Sequence, residues 1–124
     1  MYLLIDSSNP DEFILSLFKK KDQILIQRTK IKNYLSEILL KEFAKFVKRF
    51  KINLFEIKGI LVIRGPGYFT SLRLGVLFGN VLSFFLKIPL VGIKKEDKKI
   101  KDYFKKNISH LRHLKGPRIV SPFY

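Results

Sequence analysis

Short apolar runs open the chain and predict strands. They lie at residues 2–5, 13–18 and 24–27, and each is bounded by polar or turn-forming residues. The turn formers at residues 6–10 are expected to end the first strand, and residues 19–22 are expected to form a hairpin turn. This part of the chain therefore predicts an antiparallel meander.

A helical period follows the meander. Between Asn33 and Phe50, apolar residues recur at steps of three and four, which is the spacing of one face of a helix. Asn33 is expected to cap this helix, and the basic residues near its carboxyl end suit the helix dipole. We predict a first helix over residues 33–50.

Two further apolar runs, at residues 59–63 and 89–93, complete the predicted sheet. The first is continuous and rich in β-branched residues, which is typical of a strand covered on both faces at the sheet centre. A second helix is predicted between them, over residues 70–87. This order of elements predicts an α/β fold with a mixed five-stranded sheet.

The segment Gly65-Pro66-Gly67 before the second helix predicts a sharp turn. Proline presets φ, and Gly67 is expected to adopt the positive φ of a type II turn. Thr70 is expected to cap the helix. Arg73 lies in the first turn, where the dipole disfavours a cation, and is expected to pair with a carboxylate of this chain or of a partner. A phosphate site at this turn is the weaker alternative, because the lysine and spacing of a P-loop are absent.

The second helix is apolar on two opposite sides. One side carries bulky residues such as Leu74 and Phe78, and the other carries small residues spaced by four. A sheet covers one side, so the other needs a second cover, either the first helix or a partner protein. We predict a partner that approaches on the small side. The predicted interface comprises Leu35, Leu39, Phe43, Ser71, Leu72, Gly75, Val76, Gly79 and Ser83.

Composition narrows the class of protein. The hydrophobic fraction of 47% predicts a folded domain, and there is no cysteine for a disulfide. The amino-terminal sequence shows no basic leader, and the longest apolar stretch, residues 72–86, falls short of the ~20 residues of a bilayer span. We therefore expect a cytoplasmic protein without a membrane partner.

The formal net charge of +15 suits a nucleic-acid partner. Biased codon usage, which adds lysine to every solvated face, is the alternative. Residues 94–124 are lysine-rich and predict an accessory helix with an extended tail, following a lobe over residues 1–93. Within them, interleaved basic and aromatic residues predict RNA contact, with a plain solvated face as the alternative: Lys98, Lys99, Tyr103, Lys105 and Lys106.

Candidate chemistry is sparse. His110 and His113 are spaced like metal ligands on a helix, but no cysteine or carboxylate lies near them in the sequence. Neither paired carboxylates at strand ends nor a nucleophile with an evident base is recognisable. The sequence therefore predicts no metal, no cofactor and no catalytic centre.

Three motifs carry a family resemblance: LLIDSS at residues 3–8, GPGYFTSLRLGV at residues 65–76 and IPLVGI at residues 88–93. They resemble ILxIDTS, GPGSFTGLRIGV and IPLVGV of the TsaB (YeaZ) family of tRNA threonylcarbamoyladenosine biosynthesis proteins. The chain departs from that pattern at Tyr68 and Ser71 and is shorter than the usual family member. Its ending, residues 122–124, is similar to the family's Pro-x-Tyr tail.

The resemblance implies one lobe of the actin-like ATPase (ASKHA) fold and a non-catalytic role. TsaB-like proteins support the paralogous TsaD, which transfers a threonylcarbamoyl group to adenosine 37 of tRNA. The two helices are then expected to pack against TsaD or a second copy, with a TsaE-type ATPase and tRNA reached through the complex. Asp6 matches the phosphate-loop carboxylate of the fold but is expected to be a turn residue, because one lobe offers no second wall for ATP. The rival function is a free-standing, basic, homodimeric RNA-binding module.

Overall fold

The helices and strands follow the hydrophobic pattern of the sequence. The structure, a computed structural model, describes residues 1–20 and 23–122. Lys21 and Asp22 of the predicted hairpin turn, and Phe123 and Tyr124 of the predicted tail, lie outside the described residues. The elements are β1 (Tyr2–Asn9), β2 (Glu12–Lys20), β3 (Gln23–Lys30), α1 (Leu35–Arg49), a 3₁₀ turn (Leu54–Glu56), β4 (Gly59–Gly65), α2 (Phe69–Leu86), β5 (Leu90–Lys94) and α3 (Ile100–His113).

The five strands form one mixed sheet in the order β3-β2-β1-β4-β5. The pairs β1–β2 and β2–β3 are antiparallel, whereas β1–β4 and β4–β5 are parallel. The chain crosses over through α1 before β4 and through α2 before β5, as parallel pairing requires. The predicted α/β fold and meander are confirmed, but the central strand is β1 and β4 is its neighbour.

Alternate residues of the strands point into two separate cores. Leu3 and Ile5 of β1 face α1 and α2, whereas Tyr2 and Leu4 face α3. The apolar run of β4 contributes to both cores, which explains why it is continuous. α1 and α2 therefore cover one face of the sheet, and α3 covers the other.

β1 is longer than predicted. Asp6, Ser7 and Ser8 continue the strand, and Asp6 pairs in register with Ile14 of β2. The chain reverses at residues 9–11 instead, where the Asn9 side chain accepts a hydrogen bond from the Asp11 amide at 2.8 Å. The ladder with β2 is irregular between Asp6 and Asn9, and there the Ser8 backbone is bonded instead by the Asp6 carboxylate and the Tyr68 amide.

The predicted helix caps at Asn33 and Thr70 are wrong. The residues that precede α1 and α2 are Tyr34 and Tyr68, and neither makes a side-chain hydrogen bond to its helix. Tyr68 is held through its backbone, because its amide donates to the Ser8 carbonyl oxygen at 2.9 Å. The start of α2 is therefore set by the end of β1 and not by a capping side chain.

The glycine turn also differs from the predicted geometry. The Gly65–Pro66 peptide bond is cis, and the positive φ, 137°, occurs at Gly65 and not at Gly67. Gly67 is needed for close approach, since a Cβ there would lie 2.7 Å from the Cβ of Ser8. The turn brings the start of α2 directly against β1.

Candidate partner interface

The small residues of α2 lie on the sheet. Ser71, Gly75, Gly79 and Ser83 are all buried within the chain. A Cβ at Gly75 would collide with the hydroxyl of Ser7 and lie 2.6 Å from its Cβ, so only glycine lets α2 sit this close to β1. The small side is thus covered by the chain's own strands.

The predicted interface is corrected by this packing. Phe43 of α1 is half-buried, and its ring meets that of Phe78 edge-on, with centroids 4.9 Å apart, so α1 covers one flank of α2. Small residues permit close approach to any flat surface, and here that surface is the sheet. The other predicted interface residues are buried in the chain's own core: Leu35, Leu39, Ser71, Leu72, Gly75, Val76, Gly79 and Ser83.

The bulky residues of α2 that point away from the sheet are exposed. Leu77, Val81, Phe84 and Phe85 are exposed by 59%, 57%, 77% and 70%. We call these four residues the outer face of α2. Leu40 of α1 is similarly exposed, by 70%. Because exposed apolar patches commonly occur at interaction sites, the outer face is the candidate interface of this chain.

Helix α2 is the one described helix that is long and apolar enough to cross a bilayer, by length and composition alone. Core helices pass the same test, and 39% of α2 is buried within the chain. Because its small side packs on the sheet, the outer face remains available for a further contact.

A groove of about 490 Å³ adjoins the outer face. It runs between α2 and the tail, and its lining includes Phe69, Arg73, Leu77, Val120 and Pro122. The Arg73 guanidinium lies 5.2 Å from the Phe69 ring centroid, and Arg73 has no carboxylate partner among the described residues. The described residues therefore give no support to a carboxylate partner for Arg73 within this chain, and a carboxylate of a partner protein stays a prediction.

Asn80 holds the tail beside α2. Its carboxamide donates to the Val120 carbonyl oxygen and accepts from the Val120 amide, both at 2.8 Å. Gly92 leaves room for Val120, since a Cβ at residue 92 would lie 2.5 Å from Val120 Cγ1. Arg64 Nε also donates to the Ser121 carbonyl oxygen at 2.9 Å. Sequence reasoning predicted an extended tail but missed this contact, although a polar Asn80 in an apolar helix was an available signal.

We expect Asn80→Ala to release the tail. The variant loses both hydrogen bonds to Val120, so the free energy of unfolding should fall by about 1–3 kcal/mol, measured by urea denaturation. Trypsin should also cleave faster after Arg118. Asn107→Ala is the matched control, because both asparagine side chains donate to the carbonyl four residues earlier but only Asn80 also binds the tail. Equal changes in the two variants would contradict the role of Asn80.

Asp6 is a buried carboxylate at the carboxyl end of the sheet. Its Oδ1 accepts hydrogen bonds from the Ser8 amide at 3.0 Å and the Ser8 hydroxyl at 2.6 Å, and its Oδ2 contacts Lys95 Nζ at 2.5 Å. The expectation of a turn residue is wrong, because Asp6 lies within β1. Both of its oxygens are engaged by groups of the same chain.

The aromatic residue of the predicted RNA contact is buried. Tyr103 is 3% exposed, and its hydroxyl donates to the Glu96 carbonyl oxygen at 2.7 Å and accepts from the Glu96 amide at 2.9 Å. Lys98 lies over the Tyr103 ring and pairs with the Glu96 carboxylate at 2.7 Å. The prediction that an RNA base stacks on Tyr103 is therefore wrong, because the Tyr103 ring packs on the sheet. The exposed members of the predicted set are Lys99, Lys105 and Lys106.

The two histidines lie on the exposed side of α3. His110 and His113 share one helix and supply at most a pair of ligands. Within residues 1–20 and 23–122, no group of three or more His, Asp or Glu side chains is placed to hold a metal ion.

Sequence comparison identifies relatives in tRNA modification. A family model described as TsaD, tRNA N6-adenosine threonylcarbamoyltransferase, matches residues 28–101, more than half of the chain. Enzymes with that description from Fervidobacterium nodosum and Trichlorobacter lovleyi are 41% identical over 51 residues and 48% identical over 42 residues. These alignments cover 41% and 34% of this chain but only 15% and 12% of the two enzymes.

Two solved structures share the fold. YeaZ from Pseudomonas aeruginosa matches with a TM-score of 0.70 at 20% identity, covering 85% of this chain and 50% of that chain. A protein described as uncharacterized, with similarity to peptidase YeaZ from Pseudomonas aeruginosa, matches with a TM-score of 0.71 at 20% identity, covering 86% and 48%. The chain thus spans about half the length of these structures and a smaller part of the transferases. The resemblance to TsaB (YeaZ) is confirmed in the fold, and the sequence match shows that the chain belongs to the TsaD family, described as tRNA N6-adenosine threonylcarbamoyltransferase.

Proposed function

We propose that this chain is a non-catalytic accessory subunit in tRNA N6-adenosine threonylcarbamoylation. In this proposal it acts in the cytoplasm and binds a TsaD-type transferase through the outer face of α2. The observation that carries the proposal is the exposure of Leu77, Val81, Phe84 and Phe85, each by between 57% and 77%. Family membership supports a role in tRNA modification, because the matching family model and relatives are described as tRNA N6-adenosine threonylcarbamoyltransferases.

The outer face suits a partner that packs a helix against α2. This helix is 18 residues long and is seated on the sheet, so binding orders little additional structure. Leu77, Val81 and Phe84 follow one another at steps of four and three, which forms the ridge that a second helix packs against. Phe84 and Phe85 are the aromatic anchors of this surface, the residue class that commonly contributes most to interfaces.

The surroundings of Asp6 support the non-catalytic part of the proposal. A catalytic carboxylate needs an oxygen free for substrate or metal, and those of Asp6 are engaged by Ser8 and Lys95. The adjoining cavity has a volume of about 180 Å³, below the roughly 300–1,000 Å³ of small-molecule sites. Both features favour a structural role for Asp6.

The test is binding of the purified chain to the TsaD-type transferase of the same organism, measured by calorimetry. Leu77→Glu combined with Phe84→Glu places two carboxylates on the outer face, and glutamate retains helix propensity. We expect affinity to fall by at least about 30-fold, equivalent to about 2 kcal/mol, with an unchanged circular dichroism spectrum. Phe55→Glu is the matched control, since Phe55 is 80% exposed on the 3₁₀ turn, and it should bind like the unmodified chain.

Three outcomes would reject the proposal. The first is that the unmodified chain binds no transferase, and the second is that the double variant binds as tightly as the unmodified chain. The third is that light scattering shows the unmodified chain to be a homodimer that binds no transferase, and that the double variant is a monomer. This last result would favour a free-standing homodimer that uses the same face.

A further inference from the structure

Positive charge is concentrated in the segment that contains α3. Residues 94–118 hold ten Lys and Arg residues against three Asp and Glu residues, a formal net charge of +7. This fifth of the chain thus carries nearly half of the net charge of +15. The segment packs on the face of the sheet opposite α1 and α2.

Three exposed cations lie on one side of α3. Lys101, Lys105 and Arg112 are exposed, and none of them takes part in an ion pair within the described residues. We call these three residues the basic face of α3. Along the helix axis they span about 16 Å, at 1.5 Å per residue. Asp102 is the one acidic residue of this helix.

Other lysines of this segment act on the carboxylate of Glu96. The hydrogen bond from Lys98, and then the charges of Lys98, Lys106 and Lys94, lower the pKa of Glu96 below its usual value. Glu96 therefore remains ionised to a lower pH than a free glutamate, yet its carboxylate is already paired with Lys98. Glu96 is therefore occupied by Lys98 and forms no ion pair with the basic face.

We propose that the basic face of α3 binds RNA through its phosphate backbone. The row of lysine and arginine side chains matches a linear array of phosphates, whose counterions are released on binding. The outer face of α2 lies on the other side of the sheet, so the chain can hold a protein partner and an RNA at the same time. Only the choice of tRNA as the RNA rests on the proposed function.

The burial of the apolar side chains of α3 favours RNA over an anionic membrane as the partner of the basic face. A helix that binds a lipid surface inserts apolar side chains next to its cations. The four large apolar residues at the centre of this helix face the sheet instead, each at most 8% exposed: Tyr103, Phe104, Ile108 and Leu111. The solvent side of α3 therefore offers charge without an inserting group.

The test compares two variants that lose the same charges from different helices. Lys101→Gln, Lys105→Gln and Arg112→Gln neutralise the basic face, whereas Lys41→Gln, Lys48→Gln and Arg49→Gln neutralise exposed residues of α1. Binding of a fluorescent unmodified tRNA transcript is titrated between 50 and 200 mM KCl, roughly the range over which phosphate contacts weaken steeply. Vesicles containing anionic lipid are a second probe.

We expect the α3 variant to bind tRNA at least about tenfold more weakly, and the slope of log affinity against log salt to decrease by about two to three. The α1 variant should retain most of the affinity and the slope. The proposal would be overturned by equal losses in both variants, by binding that is independent of salt, or by loss of vesicle binding alone. The assay needs no transferase, so its failure is separate from that of the docking proposal, and Leu77→Glu with Phe84→Glu should still bind tRNA.

Discussion

Gly75→Ala is expected to lower the free energy of unfolding by about 3 kcal/mol. The new Cβ would collide with the Ser7 side chain, lying 2.6 Å from its Cβ, so α2 must move away from β1. That movement opens the core around Leu72 and Val76, which are 0% and 1% exposed. Urea denaturation monitored by circular dichroism measures the loss. Combining Ser7→Gly with Gly75→Ala removes the obstructing side chain and should recover much of the stability.

Gly79→Ala is the matched control, and its expected effect has the opposite sign. A Cβ at residue 79 would lie 3.5 Å from Leu90 and Val62, at ordinary van der Waals distance. Alanine stabilises a helix relative to glycine by roughly 0.5–1 kcal/mol, so the free energy of unfolding should rise. Similar losses of free energy of unfolding in both variants would contradict the finding that α2 lies closer to the sheet at Gly75 than at Gly79.

Asp6→Ala is expected to lower the free energy of unfolding by about 3 kcal/mol at neutral pH. The substitution leaves the Ser8 amide without its acceptor and Lys95 without its counter-charge. Lys95→Ala should have a smaller effect, about 1–2 kcal/mol, because the Lys95 side chain is 39% exposed and solvent screens it. Thermal and urea denaturation of both variants measure the difference.

Glu12→Ala is the comparison for an exposed ion pair on the same sheet. Glu12 and Arg28 lie 3.0 Å apart, with side chains 34% and 54% exposed, and such pairs contribute less than about 1 kcal/mol. If Asp6→Ala proved no more damaging than Glu12→Ala, Asp6 would not be a structural residue. The burial of its carboxylate would then need an explanation other than stability.

The elements could be predicted because each follows from a local pattern. Strands with a two-residue alternation and helices with a 3.6-residue period bury different sets of positions, and both patterns are clear here. The parallel placement of β4 and β5 follows from the helices that precede them. Strand ends and caps were less accurate, since the ladder with Ile14 and the amide contact of Tyr68 with Ser8 involve residues distant in sequence.

The side of α2 that stays exposed could not be deduced from periodicity. The pattern correctly indicated two apolar sides but gave no reason to assign the small side to the sheet. That assignment depends on Ser7 lying opposite Gly75, a contact between positions 68 residues apart. The sheet face below α2 carries the large residues Leu3, Ile5 and Val62. A helix packs most closely on such a face through its small residues, so the size of these strand residues could have indicated the buried side of α2.

Tyr103 illustrates a similar error at the candidate RNA surface. Sequence neighbours suggested an aromatic group among lysines, but Tyr103, Phe104, Ile108 and Leu111 have the spacing of one buried helix face. The same helical spacing determines which cations reach solvent. Lys101, Lys105 and Arg112 therefore replace Tyr103 as the candidate RNA-contacting residues. Helical phase was therefore a better guide than composition.

The edges of the sheet limit how this protein can polymerise. The edge strand β3 carries Gln23, Arg28 and Lys30, and the other edge, β5, is only five residues long. Short or charged edges resist the addition of a further strand. We therefore expect contacts between copies to form through helices and not through a growing backbone ladder. A chain that is 47% hydrophobic is thus expected to expose an apolar helix face without forming fibrils.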